Sequence, residues 1–197
     1  MVAARWGAGR AALIAAALLA QAACQGVYSR TALAPVRDDR VVGEWQTVGD
    51  DDPFTIHREG DDYVAQPRDE KPTRFQLFRI GEALYAQSGG KPCEEFPREA
   101  ECYSLGRLEL AADSAQLFPF DTAAMFTASL RENFAIPYEL RRTVGRTGPS
   151  SPRVENNFLL MADEPAVRAF LARYGVRFTA TSRVVRYRRV KKAGEAK

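Results

Sequence analysis

The chain has 197 residues, a formal net charge of +3 and 27% charged residues. This length suits a single domain that buries a real core. A charge so close to zero excludes the strong basic excess that marks nucleic-acid-binding domains. We therefore predict no nucleic-acid partner.

The N-terminus has the three parts of a secretory signal. Arg5 and Arg10 supply positive charge, an apolar run (AALIAAALLA) follows over residues 11–20, and small residues then lead to a cysteine. The run is shorter than the ~20 residues that a membrane-spanning helix needs. Residues 1–23 are therefore predicted to be a cleaved signal peptide, whose removal leaves a formal charge of about +1.

The end of this signal, QAAC at residues 21–24, resembles the lipobox of bacterial lipoproteins. In that family the cysteine is lipidated and becomes the mature N-terminus, so the resemblance implies an anchor at Cys24. Gln21 departs from the family pattern, which has Leu or another apolar residue there. The alternative is ordinary cleavage after Ala22, which would leave a soluble periplasmic protein. By resemblance to lipoprotein sorting, Gln25 after the cysteine implies an outer-membrane lipoprotein facing the periplasm.

Three cysteines are an odd number for an oxidising compartment. With Cys24 assigned to the lipid, Cys93 and Cys102 remain, and they enclose an acidic segment. We predict a disulfide between them, which would add roughly 2–3 kcal/mol by chain entropy. Two unpaired thiols, or metal ligands with partners elsewhere, remain the alternatives.

The rest of the chain divides by composition into three parts. Residues 24–40 mix polar, charged and proline residues without a period and predict a lipid-anchored flexible tether. Residues 41–190 are predicted to form a single β-rich domain. Residues 191–197 are predicted to be a basic, disordered tail.

Short strands separated by turn residues dominate the first half of the domain. The predicted strands are 41–48, 53–59, 62–67, 73–80, 83–87, 103–110 and 115–120. A spacing of about ten residues is typical of antiparallel sandwiches and barrels. The fold class predicted is mainly β, an antiparallel barrel or strongly curved meander.

Two short helices interrupt this rhythm. Asp121 is a candidate N-cap for the first, and Asp163 with the following Pro165 for the second, which Gly175 ends near the C-terminus. Further strands are predicted over 138–144, 157–161 and 176–190.

The tripeptide from Gly43 to Trp45 resembles the GxW element of lipocalins. In that family the Trp packs across one barrel end and the Gly relieves crowding, so the resemblance implies barrel-end packing for Gly43 and Trp45. With FQLFRIGEALY (75–85) and AVRAFLARYG (166–175), the chain also resembles uncharacterised bacterial envelope lipoproteins with a lipocalin-like body. That resemblance implies a fold but no activity.

No residue pattern predicts catalysis, a metal site or a cofactor. His57 is the only histidine, it lies on the polar side of a predicted strand, and it lacks the companions that a catalytic triad or a zinc site needs. The acidic clusters 50–52 and 59–62 are separated by a strand about 20 Å long, so they should not share a site. We interpret them as solvated turns, with a weak calcium site within one cluster as the alternative.

The C-terminal arginines, from Arg177 to Arg189, allow two interpretations. They could contact anionic lipid or another envelope component, or they could protect an edge strand against aggregation.

Three function classes remain after these exclusions. The first is a non-catalytic envelope lipoprotein, held in the membrane by its lipid, that contacts an envelope protein or the cell wall. The second is a lipocalin-like carrier of a small apolar ligand, with Phe54, Phe75, Leu77 and Tyr85 as inward candidates. An enzyme is the third and least supported class.

Overall fold

The computed structural model describes residues 26–91, 96, 101–146 and 152–190. The predicted signal peptide, Cys24, Cys93 and the predicted basic tail all lie outside the described residues.

Eight antiparallel strands close into a barrel, which confirms the predicted fold class. The barrel strands are β2 (Gly43–Thr47), β3 (Pro53–Glu59), β4 (Asp62–Pro67), β5 (Thr73–Ile80), β6 (Ala83–Lys91), β7 (Cys102–Leu110), β8 (Ser114–Phe118) and β11 (Val185–Arg189). The strands from β2 to β8 pair in chain order, and β11 closes the ring by pairing with both β8 and β2.

A three-stranded extension leaves the barrel at β7. It consists of β1 (Val27–Ser29), β10 (Pro152–Leu160) and β9 (Tyr138–Arg146). β1 pairs antiparallel with β7 and parallel with β10, and β10 pairs antiparallel with β9. The first strand of the described residues, β1, therefore lies in the interior of the combined sheet, with a partner strand on each side.

This position of β1 overturns part of the predicted tether: the prediction of a flexible segment over residues 24–40 is wrong from Gly26 onward. All three residues of β1 are buried, Leu33 is buried too, and the Val36 N–H donates to the Leu77 carbonyl at 2.6 Å. A strand covered on both faces lacks the polar alternation that identifies a half-buried strand in a sequence. Its partner β10 is also about 130 residues away.

Side chains of the body hold the segment after β1 in place. The amide of Gln87 is buried, accepts from the Leu33 N–H at 2.9 Å and donates to the Leu33 carbonyl at 2.7 Å. Glu164 accepts from the Ala34 N–H, and Arg168 donates to the Ala34 carbonyl. The backbone N–H and carbonyl groups of both Leu33 and Ala34 are thus hydrogen-bonded to side chains of the body.

The two predicted helices are present, and both pack on the outside of the barrel. The first, α1 (Thr122–Ser129), is capped by Asp121, which accepts from the Ala124 N–H at 2.9 Å. The second, α2 (Glu164–Tyr174), is capped by Asp163 and ends at Gly175. A side chain at Gly175 would collide with the Tyr85 hydroxyl on the barrel wall, so glycine permits this close approach.

The barrel wall separates two hydrophobic cores. The inner core fills the barrel and includes Trp45, Phe54, Phe75, Leu77 and Tyr187. The outer core lies between the wall, the extension and the helices. Its aromatic centre consists of Phe134, Tyr138, Phe158, Phe170, Tyr174 and Phe178.

The two faces of β5 show how alternation assigns residues to these cores. Phe75 and Leu77 point into the barrel, while Phe78 and Ile80 belong to the outer core, as their spacing predicts. The prediction that Tyr85 faces inward is wrong. Tyr85 stacks on Phe78 at 5.2 Å in the outer core, and burial raises the pKa of its hydroxyl.

The last predicted strand, 176–190, is also corrected. Only Val185–Arg189 forms a strand, and the residues before it make turns with a single bridge from Thr179 to Phe120. Because β11 lies between β2 and β8, its arginines do not protect an exposed edge.

Replacing Gln87 with Met should lower the free energy of unfolding by about 2 kcal/mol. The substitution keeps the side-chain volume but leaves the buried Leu33 N–H and carbonyl without partners. Urea denaturation measures the effect, with Gln116→Met on the half-buried outer position of β8 as the matched control. Equal stability of the two variants would show that the segment is not held as described.

Candidate functional site

One end of the barrel is closed by Trp45 and Arg189. Trp45 is 1% exposed, and its indole N–H donates to the Val41 carbonyl at 2.7 Å. The Arg189 guanidinium lies 4.5 Å from the centre of the indole ring and donates to the carbonyls of Arg40 and Val42. A cation over an aromatic face combined with these hydrogen bonds fixes the incoming chain against the last strand.

Gly43 is required by the same arrangement. Its φ is +141°, a conformation that residues with a side chain rarely adopt, and a Cβ here would collide with the Arg189 guanidinium. Both Gly43 and Trp45 thus pack against Arg189. The arginine that completes the packing was not identified from the sequence.

The barrel interior contains a cavity of about 40 Å³ that is not fully enclosed. Trp45, Phe54, Ile56, Leu117 and Tyr187 are among the residues that line it. The wall that these described residues form exposes apolar atoms only. Such a wall favours apolar contents over water.

The size of the cavity limits what the barrel holds. Ordinary small-molecule sites have volumes of about 300–1,000 Å³. The barrel is therefore largely filled by its own side chains, and a ligand of fatty-acid or haem size does not fit without their displacement. An interior of this kind acts first as a packed core.

Among the described residues that line the cavity, Tyr187 has a buried side-chain oxygen without a hydrogen-bond partner. It is 4% exposed, its ring meets Phe54 edge to face at 5.7 Å, and its hydroxyl has no hydrogen-bond partner among the described residues. Burial raises the pKa of this hydroxyl, which therefore stays protonated at neutral pH. An unpaired buried hydroxyl costs roughly 1–3 kcal/mol.

The predicted Cys93–Cys102 disulfide stays a prediction, because Cys93 lies outside the described residues. Cys102 is the buried first residue of β7. Phe96, from the segment between the two cysteines, is 1% exposed and contacts Tyr28 of β1 edge to face at 5.8 Å. This part of the segment therefore packs on the body of the protein.

His57 is exposed on β3, as its place in the alternation predicts. Its Nε2 lies 3.1 Å from Glu59 Oε1, and Arg74 contacts the same carboxylate at 2.5 Å. The hydrogen bond from His57, followed by that from Arg74, lowers the pKa of Glu59. These three side chains form a solvated surface network and bring no nucleophile to the histidine.

The two acidic clusters lie where the sequence places them, beyond the two ends of β3 (Pro53–Glu59). In the part of the chain that the structure describes, no three His, Cys, Asp or Glu side chains come together in a way that could hold a metal ion. No helix within that part is long and apolar enough to span a membrane.

The C-terminal arginines have separate structural roles. Arg177 pairs with Glu132 at 2.5 Å, and Arg188 donates to Gln46. Arg189 closes the barrel end. These three described arginines therefore each have a separate partner in the fold.

Comparisons of this chain with protein-family models, with curated proteins and with solved structures find no match.

Replacing Arg189 with Met should destabilise the protein by about 1.5–3 kcal/mol. Met can still cover Trp45, but it cannot donate to the carbonyls that the guanidinium satisfies. Chemical denaturation followed by tryptophan fluorescence is a direct measurement, because Trp6 lies in the predicted signal peptide and Trp45 is the other tryptophan.

The matched control is Arg188→Met on the neighbouring, exposed position of β11, with an expected loss within about 0.5 kcal/mol. An equal loss in both variants would contradict the role assigned to Arg189.

Proposed function

We propose that this chain is an exported envelope lipoprotein, anchored through Cys24, that acts through contacts of its outer surface with an envelope protein or the cell wall. The N-terminal charge, apolar run and lipobox-like exit support export and anchoring. The nearly filled barrel supports a rigid body over a carrier of large ligands. The outer membrane, facing the periplasm, is the proposed location.

The observation that carries this proposal is the position of Gly26. Its N–H donates to Asn157 Oδ1 at 2.8 Å, and its carbonyl accepts from the Phe158 N–H at 3.0 Å. Cys24 is two residues earlier, so its Cα lies within about 8 Å of the Cα of Gly26. A lipid at Cys24 would therefore hold the body against the membrane in a restricted orientation, as expected for a protein that works by local contacts.

The intact mass of the protein from the membrane fraction tests the anchor. We expect a mature chain that begins at Cys24 and carries lipid, and a gain of two hydrogen masses on reduction if Cys93 and Cys102 are bridged. Inhibition of the lipoprotein signal peptidase should abolish this species. An unlipidated chain beginning at Ala23 would contradict the anchor and favour a soluble periplasmic protein.

Crosslinking in cells tests the contact function. A photoreactive residue at Val48 or Val176, which are 56% and 59% exposed, should capture a defined envelope partner from the anchored protein. Cys24→Ser should release the protein and abolish that capture. Absence of any specific product, with the protein correctly anchored, would contradict this part of the proposal.

A second candidate function is binding of a small apolar molecule in the barrel, favoured by the apolar wall of the cavity. Because the described wall exposes only apolar atoms, it suits a compact apolar ligand. Tyr187 lines this cavity, and its buried hydroxyl has no partner among the described residues. A phenylalanine at this position would have the same shape without the cost of the buried hydroxyl.

Replacing Tyr187 with Phe tests the cost assigned to the buried hydroxyl. Without ligand, the variant should be more stable than the parent by about 1 kcal/mol, since it removes an unsatisfied buried group. Native mass spectrometry of the parent purified from its own cells tests the second candidate and should show a bound apolar molecule. A parent that is free of ligand would exclude the second candidate.

A further inference from the structure

The β9–β10 hairpin extends well beyond the strand that joins it to the body. β1 pairs with β10 only over residues 158–160, whereas β9 accompanies β10 down to Pro152. We call residues 141–146 and 152–155 the basic hairpin. At about 3.3 Å per residue, it reaches roughly 20 Å past the start of the β1 pairing.

The composition of the basic hairpin differs from that of the nearly neutral body. It contains four arginines, at positions 141, 142, 146 and 153, against one acidic residue, Glu155. The turns at 50–52 and 59–62, which join β2 to β3 and β3 to β4, are acidic, whereas this hairpin is basic. The basic hairpin is thus a local positive feature on a protein with little net charge.

One face of the basic hairpin also carries exposed apolar side chains between its arginines. Residues 140 and 158 belong to the face that packs on the outer core, and Arg142 lies over the Phe126 ring of α1 at 4.5 Å. Beyond that point the same face continues with Val144 and Val154, which are paired across the strands and are 66% and 41% exposed. Exposed valines flanked by arginines are the combination that binds the interface of an anionic membrane.

The direction of β1 places the proposed anchor on the same side. β1 runs parallel to β10, so the chain enters β1 from the side towards which the hairpin extends. Gly26 is hydrogen-bonded to Asn157 and Phe158, and Cys24 lies within about 8 Å of it. A lipid at Cys24 would therefore bring the bilayer surface next to the basic hairpin.

We infer that the basic hairpin lies against the anionic phospholipid surface that holds the Cys24 lipid, as a second membrane contact. The inference deepens the proposed function and rests on it for the position of the anchor. Arginines close to an anionic membrane surface each contribute about 1 kcal/mol of attraction, so the hairpin would add to the attachment that the lipid provides. The hairpin would also fix which side of the barrel faces away from the membrane.

Vesicle cosedimentation of the chain from residue 24 with Cys24→Ser tests the inference without the lipid. This chain retains every residue that the structure describes. We expect it to bind phosphatidylcholine vesicles that contain phosphatidylglycerol, to release at high salt, and not to bind pure phosphatidylcholine. The triple variant R142Q/R146Q/R153Q should lower the partition coefficient by roughly 100-fold, at about fivefold per arginine.

The matched control is R183Q/R186Q/R188Q, which removes the same charge from the C-terminal region. It should change binding by no more than about fivefold, the effect of a single surface arginine. Equal losses in the two triple variants would show a general charge effect and overturn the inference. Unchanged binding of the hairpin variant, or no binding by the parent, would overturn it as well.

A second pair of variants avoids any loss of hairpin contacts. Val144→Asp adds a negative charge at an exposed position and should weaken binding by at least about fivefold, whereas Val48→Asp, in the turn after β2, should not. If both variants bind like the parent, the apolar face does not touch the membrane. Salt-insensitive binding, or self-association without vesicles, would instead point to a protein partner and overturn the lipid contact.

The vesicle-binding experiment tests the hairpin and the intact-mass measurement tests the anchor, so either can fail without the other. Vesicle binding by the hairpin in a protein that proves unlipidated would refute the anchor while supporting a lipid-binding hairpin. A lipidated protein whose hairpin variants bind normally would refute the hairpin alone.

Discussion

Strand β7 hydrogen-bonds to two different strands along one of its edges, and the rest of the fold depends on this branching. Tyr103–Leu105 pair with β1, whereas Arg107–Leu110 pair with β8. Gly106 lies between the two stretches, and a Cβ there would meet the Leu117 side chain at 3.1 Å. The other edge of β7 pairs with β6 and completes the barrel wall. A closed barrel, which has no free edge of its own, can in this way carry a further sheet.

Because the sheet branches at β7, the hydrophobic residues divide between an inner and an outer core. The inner core leaves little room inside the barrel, so the proposed function concerns the outer surface. The inner core occupies most of the barrel and leaves about 40 Å³. The outer core fastens the extension and both helices to the wall, so that the N-terminal strand becomes part of a rigid body. The features that distinguish this protein from a packed barrel lie on that extension: the chain entry beside β10 and the positively charged hairpin that continues from it.

The sequence predicts the parts of the fold that local patterns encode. Alternation in β3 and β5, the caps Asp121 and Asp163, and the GxW tripeptide correspond to features of the structure because each is determined by residues within a few positions. At the barrel end, the sequence points to Gly43 and Trp45 but not to Arg189. The contact of Arg189 with Trp45 joins residues more than 140 positions apart. Nothing in its local sequence distinguishes it from Arg188, which lies on the surface.

Long-range burial explains the remaining errors. β1 is three residues long, buried on both faces and paired with strands far along the chain, so its sequence has neither the length nor the period of a strand. The sequence does not show that Tyr85 faces outward, because an aromatic residue on a strand suits either face of a wall that has a core on both sides. The alternation of apolar and polar residues shows which face of a strand is buried only where the other face is exposed to solvent. Where a second core covers the outer face of the barrel wall, both faces are apolar and the pattern does not distinguish them.

Hydrogen–deuterium exchange of residues 26–36 shows whether the N-terminal segment is fixed to the body. We expect the amides of β1 and of Leu33 and Val36 to exchange as slowly as those of the barrel strands, because they are buried and hydrogen-bonded to the body. Exchange of this segment at the rate of an unstructured peptide, with the barrel protected, would contradict it. The N-terminus would then be a tether, and the close apposition of body and membrane would be lost with it.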